Sequence, residues 1–87
     1  MPPLISSEAL AVLTLEEELL RARKLEATGK ERLEAQEKRV AGLKAKNMDN
    51  PPSERLLGLM RETHRLQVSH VTLLEAEIRE LVGETES

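Results

Sequence analysis

The chain has 87 residues, 39% apolar and 33% charged, with a formal net charge of −3 and no Cys, Phe, Trp or Tyr. That composition excludes disulfide scaffolds, thiolate metal sites and thiol chemistry, and it excludes sites built on aromatic stacking or cation–π contact. A single domain of this size buries too little surface to be robust unaided. His64 and His70 are too few for a histidine-built metal centre, and Gly29, Gly42, Gly58 and Gly83 are too scattered for a phosphate-cradling loop. The expectation is therefore a non-enzyme with no catalytic residues, no metal and no cofactor. No apolar run is long enough to span a membrane, and Met1-Pro2-Pro3-Leu4-Ile5 lacks the basic start and apolar core of a secretory signal. The expected location is the cytoplasm.

In chain order, Ser6 or Ser7 can cap a first helix, with Glu8 near its positive end. The box Thr14-Leu15-Glu16-Glu17 offers a later start, but Ala9, Leu10, Val12 and Leu13 already belong to the pattern. The helix is expected over about 6–46, with Lys44 and Lys46 in its last turn. Asn47 to Pro52 form the breaker-rich connection, with Asp49 or Asn50 as cap and the prolines at the first turn of a second helix. That helix is expected over about 52–82, with Gly83 as a left-handed stop and a frayed tail over 83–87.

Heptad spacing predicts that the two helices pair. Val12, Leu15, Leu19 and Ala22 are spaced by threes and fours, and so are Leu33, Gln36, Val40 and Leu43. Between them strict spacing would put Glu26 in the seam, so the expected path runs through Leu25 and Gly29, an eleven-residue insert. The second helix supplies Leu57, Met60, His64, Gln67, Val71, Leu74, Ile78 and Leu81. Leu59, Leu66 and Leu73 recur beside it, with Val68 and Val82 widening that face. The fold class is all-α: a long antiparallel helical hairpin, or coiled-coil rod, in one domain over 1–87.

Folding back at the loop pairs positions whose numbers sum to about 100, so Gln36 meets His64 in a polar layer and Ala22 meets Ile78. Residues before Leu15, including Leu4, Ile5, Leu10, Val12 and Leu13, are then left with nothing opposite. That end and the Leu59/Leu66/Leu73 face need cover from a second copy of the chain, a further helix or a client. Charge is partitioned: −4 over residues 1–20, +5 over 21–46 and −4 over 47–87. The basic block can attract an acidic surface, with Glu34–Lys38 as an i,i+4 pair along it. The protein as a whole is acidic, which argues against nucleic acid. Glu62, Thr63, His64, Ser69, His70 and Thr72 hold nucleophile and base types, but a bare helix offers neither pocket nor oxyanion donors.

From about Leu19 to Val82 the chain resembles the tubulin-binding cofactor A family. The residues that carry this are Leu19-Leu20-Arg21-Ala22-Arg23-Lys24-Leu25-Glu26 and the run Leu33 to Lys46 around Gln36-Glu37-Lys38-Arg39-Val40. Leu59-Met60-Arg61-Glu62-Thr63-His64-Arg65-Leu66 and Leu74-Glu75-Ala76 continue it. The chain departs from the family at Val68, where a proline is usual, at Gly29, where a Tyr is usual, and at Ser53-Glu54-Arg55-Leu56. The family fold is a three-helix bundle, so the expectation is either a shortened member or a third layer supplied by a partner. The resemblance implies an ATP-independent chaperone that captures β-tubulin after chaperonin release, on the way to αβ-tubulin assembly. It would work among other tubulin folding cofactors, in the cytoplasm and associated with the cytoskeleton. It further implies that Arg21, Lys24, Gln36, Glu37 and Lys44 lie on or beside the client surface. The alternative is a structural coiled-coil hairpin that forms a homodimer or acts as an adaptor.

Overall fold

The computed structural model describes residues 6–86, and the expectations for Leu4, Ile5 and Ser87 lie outside that range. Two helices, α1 (Ser7–Ala45) and α2 (Pro51–Glu86), form an antiparallel hairpin. Its radius of gyration is 19.7 Å, where a compact chain of this length would have about 12 Å. The molecule is a rod, as the heptads predict.

Each helix end has a local cause. Ser6, in extended conformation, accepts a hydrogen bond on its side chain from the Ala9 N–H at 3.1 Å, and Glu8 sits in the first turn. Thr14 lies inside α1, its hydroxyl donating to the Leu10 carbonyl. At the other end Asn47 has φ of 55°, the left-handed region that Asn tolerates better than most residues. Its N–H donates to the Lys44 carbonyl at 3.0 Å and the Met48 N–H to that of Leu43 at 2.9 Å, so two orphan carbonyls are satisfied in a Schellman turn. The Asn50 side chain then accepts from the Ser53 N–H at 3.1 Å and caps α2, whose first two residues are the prolines.

Gly83 does not stop α2. It has no positive φ, and the helix continues to Glu86. A glycine permits a left-handed exit without compelling one. The longer helix covers part of α1's start: Val82 shares a shallow concavity with Ala9, Val12 and Leu13. Val12 is thus half-buried, while Leu10 and Leu13 stay exposed.

The seam follows the strict heptad, without the insert. Glu26 is half-buried and faces α2, whereas Leu25 is 61% exposed. Threes and fours therefore run unbroken from Val12 to Leu43 and from Ser53 to Leu81. The core has two apolar parts. Leu19, Ala22 and Leu74 form one cluster, with Leu15, Val71 and Ile78 packed on it. Val40 and Leu57 are buried nearer the turn. Between them lie Glu26, Gly29, His64 and Gln67. Gly29 is what lets the Gln67 amide lie against α1, since a Cβ there would collide with its oxygen.

Three ion pairs lie along one flank between the helices: Lys44–Glu54 (3.5 Å), Arg61–Glu37 (3.9 Å) and Arg23–Glu75 (3.6 Å). All are solvent-exposed, so they fix alignment more than they add stability. Their numbers sum to 98, and the polar contacts Gln36–Ser53 and His64–Glu26 sum to 89 and 90. The register is therefore displaced from the expected 100. α1 ends one residue earlier and α2 begins one residue earlier than the breaker pattern suggests, which centres the turn near Met48 and lowers the pair sum by two, as the three flank pairs show.

The Asn47 turn sets this register, so its chemistry is testable. Asn47→Ala should cost about 1 kcal/mol through the left-handed backbone, while Asn47→Gly should match or exceed the wild type. Urea unfolding followed by circular dichroism measures both.

Candidate interaction surface

The polar centre of the seam differs from the expected Gln36–His64 layer. Those two side chains do not meet. The Gln36 amide donates to the Ser53 carbonyl at 3.0 Å, holding the start of α2 against α1. His64 Nε2 lies 3.0 Å from the Glu26 carboxylate, both groups partly screened from water. A charged acceptor makes this the strongest of the polar contacts across the seam. The Gln67 side-chain oxygen is buried without a hydrogen-bond partner among the described residues.

The five residues implied as client contacts fall into two groups. Gln36 is only 6% exposed and is taken up inside the hairpin. Glu37 and Lys44 are exposed but engaged with Arg61 and Glu54 across the helices. Arg21 and Lys24 are exposed on α1 and form no ion pair among the described residues. Beside them Leu20 and Leu25 are 59% and 61% exposed. Leu20 and Lys24, like Arg21 and Leu25, are i,i+4 neighbours and form one mixed basic and apolar patch. Glu34 and Lys38 do not pair.

The second exposed apolar surface is on α2. Leu59, Leu66 and Leu73 are 67%, 62% and 62% exposed, and a seven-residue interval keeps them in one column. Val68 does not widen it. It lies on the opposite flank, beside Arg23, Glu26 and Glu75.

The nucleophile and base types on α2 are dispersed. His64 is held by Glu26, Glu62 pairs with Arg65, the Thr72 hydroxyl donates to the Val68 carbonyl, and His70 is exposed. Among the described residues no three His, Cys, Asp or Glu are grouped to hold a metal ion, and no helix is long and apolar enough to cross a membrane.

No protein-family model, curated protein or solved structure matches this chain. The surface must be read from its own chemistry: an unengaged basic and apolar patch on α1, and an uncovered leucine column on α2.

The His64–Glu26 contact replaces apolar packing at the centre of the seam. Glu26→Leu combined with His64→Leu should raise stability by about 1 kcal/mol or more, read as a rise in melting temperature of roughly 4–8 °C. Glu26→Leu alone should gain less, because it removes the hydrogen-bond partner of the partly buried His64 ring.

Proposed function

We propose that the protein works by binding rather than catalysis, as an ATP-independent chaperone that holds β-tubulin after chaperonin release and before αβ-dimer assembly. The observation that carries the binding reading is the patch of Leu20, Arg21, Lys24 and Leu25, apolar and basic together and engaged by nothing else in the hairpin. The resemblance of residues 19–82 to the tubulin-binding cofactor A family supplies the client. β-Tubulin is acidic, and the +5 block over residues 21–46 would steer toward it. Other tubulin folding cofactors would be downstream partners, in the cytoplasm and associated with the cytoskeleton. Of the residues the resemblance implies, Arg21 and Lys24 are the ones free to touch a client. Gln36, Glu37 and Lys44 support it indirectly by holding the hairpin.

A second reading is favoured by the leucine column: a structural hairpin that docks into a larger helical assembly with no tubulin specificity. Co-migration on size exclusion separates the two. The chaperone reading expects a discrete complex with chaperonin-released β-tubulin, weak with the intact αβ dimer and absent with an unrelated acidic protein. Arg21→Ala with Lys24→Ala should weaken it roughly fivefold and flatten its salt dependence. No complex at micromolar concentration would leave the structural hairpin as the function.

A further inference from the structure

We propose that the Leu59/Leu66/Leu73 column is the interface of an antiparallel homodimer, with its two-fold axis at Leu66. This is independent of the client patch on α1.

Three observations point to a second copy. The first is area. The chain exposes 6957 Å², whereas a compact protein of 9.8 kDa exposes about 5,200 Å². A standard interface removes about 800 Å² from each partner, well within that excess. The second is shape. Leu59 and Leu73 are equidistant from Leu66, so a two-fold axis there seats each Leu59 against Leu73 of the second copy and Leu66 against itself. Such a patch is self-complementary, as an isologous interface requires. The axis also lies near the middle of α2 (Pro51–Glu86), so most of the rod overlaps.

The third observation is charge. Residues 27–68, the turn half of the rod, carry nine cations against six carboxylates. The far half, residues 6–26 and 69–86, carries ten carboxylates against four cations. The rod is thus +3 at one end and −6 at the other. A parallel pair would set like ends together. An antiparallel pair sets each basic end against an acidic one.

The column carries the same polarity locally. Thr63 is four residues from Leu59 and three from Leu66, and it lines a shallow groove with Arg32, Gly29, Met60 and Gln67. The leucines therefore border that groove. Arg39, seven residues after Arg32, continues its basic side toward the turn. Glu80 continues the leucine column toward the far end, with Glu77 beside it. Under the proposed axis Glu77 and Glu80 of the second copy come to the level of Arg55 and Arg39. None of these four is engaged in an ion pair among the described residues.

Sedimentation velocity over a concentration series tests this. The wild type should run at twice 9.8 kDa at tens of micromolar, and its dissociation constant should rise with salt. Leu59→Gln, Leu66→Gln and Leu73→Gln together should raise that constant roughly a hundredfold or more. These side chains are exposed in the hairpin, so helicity by circular dichroism should be unchanged. A wild type that stays monomeric, or a dimer indifferent to the triple substitution, would overturn the proposal.

Charge reversal tests orientation. Arg39→Glu/Arg55→Glu and Glu77→Arg/Glu80→Arg should each weaken self-association, and an equimolar mixture should restore a dimer of the two variants. The chain has no Cys, so a single cysteine at Glu62→Cys or Ser69→Cys is an unambiguous reporter. Oxidation should cross-link the mixture of these two variants faster than either alone. Faster linkage of each variant to itself would mean a parallel pair and would also overturn the proposal.

Discussion

A pair of helices has one seam, and the structure is organised by that limit. Each helix can turn only about two residues in seven toward its partner, so most apolar residues outside those positions have nowhere to go. Leu19, Ala22 and Leu74 are buried because they meet the seam, and Leu20, Leu25, Leu59, Leu66 and Leu73 are exposed because they do not. Their exposure is not a packing failure within the hairpin. It is apolar surface that only a contact from outside can remove from water.

The same limit explains why polar residues are tolerated at the centre. A seam open on both sides leaves Glu26 and His64 partly hydrated, so the cost of placing them there is far below that of a closed core. They also define alignment. A slip of one heptad would part His64 from Glu26 and Gln36 from the Ser53 carbonyl. Two contacts of limited strength thus reinforce the register set by the Asn47 turn, which apolar side chains alone would leave loosely specified.

The fold class, both helices and the breaker-rich turn were legible in the sequence, because periodicity and helix-ending chemistry are local. The register was not. It depended on which residue of Asn47-Met48-Asp49-Asn50 took the left-handed conformation, and a displacement of one residue at each side of the turn moved every cross-helix pair. Glu26 was misread for a related reason. A lone carboxylate argues against a seam position until its partner is known, and His64 lies 38 residues away. Gly83 carried a stop signal that nothing following it enforced. At the candidate surface, Arg21 and Lys24 could be picked out by their basic context, but sequence could not show that Glu37 and Lys44 are occupied by Arg61 and Glu54.

The division of the core by Glu26, Gly29, His64 and Gln67 also bears on the order in which the chain assembles. Contacts near the Asn47 turn close short loops and carry little entropic cost, so Val40 and Leu57 can associate early. The Leu19–Leu74 contact closes more than fifty residues and benefits from everything nearer the turn being already in place. Loop entropy therefore favours assembly from the turn, and the polar centre, which gains little apolar burial, does least to drive it onward. Opening runs in reverse. On the same argument the far end should separate first, and the backbone amides around Leu15 and Ile78 should exchange with solvent sooner than those around Val40 and Leu57.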